Sequence, residues 1–267
     1  MSVENLPLVE VPDFGNVVDP DRPTLSFEWQ VQAPHRTPGH SHPRGHVIYA
    51  EAGSIWVVTT DGNWLVPAGL AIWIPPHIEH ELHSHGPVVA RLLFIDPSYA
   101  AALPGHCGTL KVNRLLEALL ERAVAYGNAY AREGPAARLA QVMLDELAEM
   151  EFAPLFLPIS KEPRLARVMQ RLIDDPESSG SLEDMAREAG ASPRTLARLF
   201  RAETGMSFGQ WRTNRRLIES IMRLEKGASV TEVALDLGYG STSSFVYMFR
   251  KHLGIPPGRY RNEAVAG

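Results

Sequence analysis

The 267-residue chain holds a single cysteine, Cys107, so no disulfide within the chain can staple its fold. One unpaired cysteine suits a reducing, cytoplasmic setting. The sequence has no run of about 18 or more apolar residues, which excludes a membrane-spanning helix and a membrane partner of that kind. Its first twenty residues are acidic and proline-bearing and lack a basic stretch leading into an apolar one. No secretory signal is therefore expected. There is no long repeat and no low-complexity tract. What remains is 45% hydrophobic and 21% charged, enough to bury a sizeable core. The length suits two domains or one large one.

The net charge of -5 conceals a strong asymmetry. Residues 1–160 carry nine basic and eighteen acidic groups, whereas residues 161–267 carry seventeen and thirteen. Eight of the ten histidines lie between His35 and His85. An acidic, histidine-rich half and a basic half are expected to do different work.

The texture of the chain separates four regions. Residues 1–22 read as an extended arm. Residues 23–105 hold short β-rich runs, among them Val47-Ile48-Tyr49, Ile55 to Thr60, Ala71 to Ile74 and Val88 to Ile95. Glycine and proline turns punctuate them, including a hairpin at Thr59-Thr60-Asp61-Gly62, which predicts a small antiparallel barrel or sandwich. Residues 106–160 read as a helical connector. Two amphipathic helices are predicted there, over Leu110 to Tyr126 and Ala136 to Met150, followed by a proline-bounded linker from Phe152 to Pro158. Residues 161–267 read as helical, broken at glycines 190, 205, 227, 238 and 254. The predicted fold class is multidomain α+β, with an N-terminal β-barrel, a helical connector and an all-α C-terminal domain.

Within the basic half, Ser181 to Gly205 reads SLEDMAREAGASPRTLARLFRAETG. Ser181 can cap a helix, with Asp184 three residues on favouring the positive helix end. Gly190 permits a tight turn, Ser192 can cap a second helix, and Pro193 fits its first position. Leu196, Leu199 and Phe200 face inward, leaving Arg194, Thr195, Arg198 and Arg201 on other faces. This is a helix-turn-helix design. It recurs 48 residues on, Gly190 to Gly238, in SVTEVALDLGYGSTSSFVYMFRKHLG. There Ser241 caps the second helix, Phe245, Met248 and Phe249 pack inward, and Thr242, Ser243, Val246 and Tyr247 meet a partner. A bridging helix, Phe208 to Lys226, carries Arg212, Arg215, Arg216 and Arg223. An arginine-rich helix face is often only a solvated face, but two units with one capping grammar in the basic half argue for nucleic acid.

These two segments resemble the AraC/XylS family of bacterial transcription regulators over the last hundred or so residues. The resemblance implies two helix-turn-helix units on a rigid connecting helix, their recognition helices entering successive major grooves of double-stranded operator DNA. Carried over by position, the DNA-contact candidates are Arg194, Thr195, Arg198 and Arg201 in the first unit, and Thr242, Ser243 and Tyr247 in the second. Ala197 stands where family members often place a larger polar group. Arginine can donate two bonds to guanine O6 and N7, and a threonine methyl can pack on thymine. Grooves one turn apart require roughly 34 Å between the two helices.

In the acidic half, His40-Ser41-His42 is followed by His46 in HSHPRGHVIYAEAG, and His77 and His80 end GLAIWIPPHIEH. The spacing resembles the cupin pattern of the sensor barrels attached to many AraC-type regulators. His46 stands in the usual glutamate position and His77 where cupins commonly have glycine. Histidines two apart on a strand share a face, and imidazole suits zinc, iron, copper or nickel. His40, His42, His46 and His80 are thus either ligands of a divalent metal ion or hydrogen-bonded pocket scaffold. His77, His83 and His85 read as surface-loop residues. Trp56, Trp64, Trp73 and Tyr49 are expected in the core, with one or two lining an effector pocket.

Leu115, Leu116, Leu119, Leu139 and Met143 of the connector either cover the barrel or pair two subunits as a homodimer. The functional expectation is a sequence-specific transcription regulator controlled by a small-molecule effector, with no enzymatic role. The rival is a metal-dependent cupin enzyme, an oxygenase or isomerase, tethered to DNA. A third reading is a purely structural DNA-binding protein.

Overall fold

The computed structural model describes residues 7–8, 13–32, 34–60, 62–84, 86–150, 152–153, 156–158, 160, 162–175 and 180–260. Two compact units emerge, one from residues 1–60 and 64–153, the other from residues 154–267 with the tripeptide 61–63.

The first unit is built on strands Thr24–Val31 (β1), His35–Arg36 (β2), Gly45–Ala52 (β3), Ser54–Thr59 (β4), Gly62–Pro67 (β5), Leu70–Ile74 (β6), His80–Ser84 (β7), Val88–Ile95 (β8), Gly108–Lys111 (β9) and Phe152–Ala153 (β10). One sheet runs β1-β8-β3-β6-β9-β10, and in a second sheet β5, β4, β7 and β2 lie side by side. A short helix, Pro97–Ala100 (α1), and two longer ones, Arg114–Tyr126 (α2) and Pro135–Ala148 (α3), complete the unit.

Period-2 alternation along β3 explains what each face does. Val47 and Tyr49 share a buried cluster with Trp73, Leu93, Leu116, Leu120, Met143 and Leu147, so this face of the sheet lies under α2 and α3. Truncating Leu116 to alanine there would cost about 2–5 kcal/mol. The alternate residues, His46 and Ile48, point to the other side. The strand is buried on both faces, which is why it reads as a near-continuous run rather than a clean alternation.

The connector helices therefore cover the sheet. Leu116 and Met143 are buried, Leu119 and Leu139 pack partly buried against the same cluster, and only Leu115 of the five predicted residues stays 50% exposed. Both helices match their expected positions to within a few residues, with Asn113 capping α2 through a bond from the Leu116 amide. One difference is the stretch before them. Residues 108–111, expected as helical connector, form β9, where Leu110 pairs with Ala71 and Thr109 with Ile72. The open edge of β6 competes successfully with weak helical periodicity, and the helix waits for the Asn113 cap. Likewise, the expected linker over Phe152 to Pro158 contains two short strands, β10 and Phe156–Pro158 (β11).

The second unit consists of Pro163–Asp174 (α4), Leu182–Glu188 (α5), Pro193–Thr204 (α6), Phe208–Glu225 (α7), Val230–Asp236 (α8) and Thr242–Leu253 (α9). All five glycines expected to break helices take a positive φ, between 64° and 89°. A further break, between α4 and α5, lies outside that glycine series. Leu196, Phe200, Trp211, Ile218, Phe245 and Phe249 are buried and bind the helices together. Trp211 Nε1 also donates to the Pro158 carbonyl, 3.1 Å away.

Candidate functional site

Each helix-turn-helix is assembled by the same backbone bonds. The Ala191 amide donates to Ala186 O at 2.9 Å and the Gly190 amide to Arg187 O at 3.2 Å. Forty-eight residues on, the Tyr239 amide donates to Ala234 O and the Gly238 amide to Leu235 O, both at 3.0 Å. This double closure with a left-handed glycine ends a helix tightly and starts the next within a few residues. Ser181 and Ser229 form reciprocal caps with Asp184 and Glu232 at the first helix of each unit. Ser192 and Ser241 cap α6 and α9 by accepting from the Thr195 and Ser244 amides.

The caps leave the recognition helices free on one side. Arg194, Arg198 and Arg201 on α6 are exposed, and among the described residues no ion pair holds them. On α9, Ser243 and Tyr247 are exposed, Tyr247 at 70%, and Thr242 is half-buried. Thr195 is half-buried too, and its hydroxyl lies 2.9 Å from Ser192 Oγ, so reading a base with it costs that cap contact. The arginines of α7 behave oppositely. Arg212 donates to Gly180 O, Arg215 to Ile173 O and Glu219, and Arg223 to Glu219 and Asp236. They brace α7 against its neighbours in the second unit, the bridging role expected of this helix. Arg250 and Lys251, exposed in the last turn of α9, are cations that motif matching passed over.

In the first unit, three histidines converge. His40, His42 and His80 place one ring nitrogen each within 4.8 Å of the others. The isolated bridge His40↔His80 and the strand β7 fix two of them, while His42 follows two residues after His40. In all three, Nδ1 faces a backbone carbonyl: Pro38 O at 2.9 Å, Arg44 O at 2.7 Å and Ile78 O at 2.9 Å. Carbonyl acceptors select the tautomer with its proton on Nδ1 and free the Nε2 lone pair, the outer-shell arrangement typical of metal-binding histidines. Nε2 of His42 and of His80 is buried and has no hydrogen-bond partner. Burial pushes the His42 imidazole below its usual range and the His80 imidazole down to about 3, so both stay neutral, as metal ligation requires.

His46 departs from the expected four-nitrogen set. It lies outside the group of three, stacked on Phe94 with ring centroids 4.2 Å apart. Burial, reinforced by His42 and His80, lowers its imidazole well below the usual value, and neither ring nitrogen has a partner. The reason is register: His46 sits on β3 opposite Phe94 of β8, while the other three come from β7 and the loop before β3.

The remaining histidines also differ from expectation. His83 is buried on β7, with Nε2 2.8 Å from Glu81 Oε1, because a strand rather than a loop carries it. His77 has φ 64°, the one non-glycine among the described residues with a positive value, and its amide donates to His42 O. Strained backbone thus supports the loop that carries one of the converging histidines. His85 lies outside the described residues.

A cavity of about 230 Å³ opens beside the histidines, lined among others by Asp13, Asn16, Thr37, Ser41, Leu82 and Phe94. None of Trp56, Trp64, Trp73 or Tyr49 lines it. Trp64, Trp73 and Tyr49 are core residues, Trp73 donating to Pro104 O and Tyr49 to Glu117, and the aromatic wall is Phe94, which the sequence reading had not singled out. The segment around Gly15 closes against His42, where a Cβ on Gly15 would stand 2.3 Å from the ring. Arg44, 0% exposed, holds that segment through Val17 O, Asp19 O and Arg22 O and pairs with Asp96.

Comparison with known proteins bears on both units. The AraC-like ligand binding domain model matches residues 27–208, and a helix-turn-helix domain model matches residues 185–263. The HTH-type transcriptional regulator NimR of Escherichia coli is 38% identical over 224 residues, covering 84% of this chain and 82% of that protein. RipA of Corynebacterium glutamicum, also an HTH-type transcriptional regulator, is 39% identical over 99 residues, covering 37% of this chain and 30% of its own length. Among solved structures, ToxT of Vibrio cholerae aligns over 90% of this chain and 98% of its own at 11% identity, with a TM-score of 0.39. No helix among the described residues is long and apolar enough to cross a membrane. A ligand-binding domain model across more than half of the chain, and a relative this similar over most of its length, identify the chain as a member of the AraC family: a transcription regulator with an N-terminal ligand-binding domain and a C-terminal helix-turn-helix DNA-binding region.

Proposed function

We propose that this regulator senses its effector through a divalent transition metal held by His40, His42 and His80. The carrying observation is the convergence of these three rings with each Nδ1 committed to a carbonyl and the buried Nε2 atoms of His42 and His80 left unpaired. An unpaired buried polar atom costs about 1–3 kcal/mol, which a bound cation would recover. Neutral imidazoles without a carboxylate suit zinc, nickel, cobalt or copper better than magnesium or calcium. The metal would supply a Lewis-acidic anchor for a ligand, and the histidines would orient it. A regulator needs no turnover, so the cupin-like domain, over residues 23–105 of the chain, acts as a sensor and not as an enzyme.

On the DNA side, the reading surface is Arg194, Thr195, Arg198 and Arg201 on α6 with Thr242, Ser243 and Tyr247 on α9, within residues 161–267. The exposure of Arg194, Arg198, Arg201, Ser243 and Tyr247, and the absence of ion pairs to the three arginines among the described residues, support this. Homodimerisation, in the cytoplasm, on repeated half-sites completes the reading. It is supported by the exposed Leu115, Tyr126 and Val142 on α2 and α3. Effector binding shifts a two-state equilibrium, by its differential affinity for the two states.

Selection of operators from a random duplex pool, with and without zinc, tests this. The expected result is an enriched motif with paired elements about one helical turn apart and an occupancy that changes with zinc. A pool that never enriches removes the DNA reading, and identical enrichment in both arms removes the metal reading.

A further inference from the structure

His46 fits neither of the two roles its position suggests. It is not one of the three converging metal ligands, and it is not hydrogen-bonded scaffold, because both its nitrogens lack partners although the residue is only 1% exposed. It lines the cavity. An imidazole always carries at least one N–H donor, so His46 holds a desolvated, unpartnered donor in the cavity wall.

Thr37 presents a second. It is buried at 1% exposure, its Oγ1 accepts from the Leu82 amide at 3.0 Å, and its hydroxyl proton therefore remains to be donated. Thr37 also lines the cavity.

The charge of the site points the same way. Three neutral imidazoles leave a divalent ion's charge uncompensated, and among the described residues Asp13 is the one acidic side chain on the cavity wall. Three protein ligands also leave a coordination position open to an exogenous group. Size then limits the occupant. A volume of about 230 Å³ equals nearly eight waters at roughly 30 Å³ each, below the 300–1,000 Å³ range of pockets for drug-sized ligands. Leu82 and Phe94 supply an apolar wall against which a short carbon skeleton fits.

We propose that this cavity binds a small organic oxyanion, a carboxylate or dicarboxylate of a few carbons, whose oxygens accept from the His46 N–H and the Thr37 hydroxyl and face the metal. The replacement of the usual glutamate by His46 thus exchanges an anionic metal ligand for an anion receptor. This rests on the metal reading above.

The test uses the full-length chain loaded with cobalt(II), whose ligand-field absorption reports its coordination shell. Oxalate, acetate and uncharged ethylene glycol are titrated in turn. The expected result is saturable spectral change with the two carboxylates, at affinities at least tenfold above ethylene glycol. His46→Phe, which keeps the stack on Phe94, should retain cobalt yet bind oxalate about tenfold or more weakly, the loss expected for one hydrogen bond to a charged group. Thr37→Val should weaken it in the same direction and serves if His46→Phe does not fold. Cobalt binding without any carboxylate response, or equal response to ethylene glycol, overturns this proposal and leaves the metal reading intact. Loss of cobalt in folded His46→Phe makes His46 a ligand and also overturns it. A wild-type chain that takes up no cobalt overturns the metal reading itself.

Discussion

Metal-free protein should lose stability between pH 6.5 and 5, and His80 sets the size of the loss. In the unfolded chain this imidazole takes up a proton near 6.5; in the fold, burial delays that uptake to about 3. Between those values the unfolded state binds more protons than the native one, so stability falls as pH falls. The slope is about 1.4 kcal/mol per pH unit for each such group. Moving from pH 6.5 to 5 therefore removes about 2 kcal/mol through His80 alone, or roughly 4–8 °C in Tm for a unit of this size. His42 and His46, both lowered by burial, add in the same direction. Asp96 does not confuse the window. Burial pushes its carboxyl up, but bonds from Ser98 and the Asp19 amide, with Arg44 beside it, outweigh that and hold it low. Its contribution is lost only at more acidic pH. The assay is scanning calorimetry of chelator-treated full-length protein at pH 7, 6 and 5, alongside His80→Gln. The variant should show the smaller pH dependence by about the amount above. Equal slopes for the two proteins would refute the claim that His80 is folded in its neutral form.

Other expectations follow from single contacts. Gly15→Ala must displace His42 or the segment above it, costing about 1–3 kcal/mol and weakening zinc binding, whereas Gly86→Ala, with nothing within 4 Å, should change neither by calorimetry. His77→Gly relieves a left-handed backbone at φ 64° and should raise stability by about 1 kcal/mol in denaturant titration; a loss of stability would show that the His77 side chain contributes more than its backbone costs. Ser192→Ala removes the cap of α6 and should cost about 1 kcal/mol of stability. Arg198→Ala should weaken operator binding by about 1–3 kcal/mol and relax preference at one base pair. An equal loss on every duplex would mean a phosphate contact instead.

The second unit was legible in the sequence because its signals are local. Serine caps, a proline at the first helical position and five left-handed glycines each act within a few residues, and all reappear in the fold. The histidine centre was legible only in outline. Spacing identifies His40, His42 and His80, but whether His46 joins them depends on a cross-strand neighbour, Phe94, that lies 48 residues away. Strand β9 escaped for the same reason: Leu110 fits a helical pattern locally, and only the edge of β6 turns it into a strand. The cavity's donors were equally hidden. Thr37 gains its role from the Leu82 amide across the fold, a bond no periodicity reveals. The α7 arginines show the reverse case, since their composition suggests a DNA face while their partners make them braces.

Coupling between the histidine centre and the reading helices is tested most directly by zinc affinity measured twice, on the free chain and on the chain saturated with its selected operator. Because linkage is reciprocal, the two dissociation constants should differ by the factor by which zinc alters operator affinity, about 5–150-fold for a typical allosteric regulator, and His80→Gln should abolish both binding and difference. One and the same dissociation constant in the two titrations would contradict metal-linked control of DNA binding.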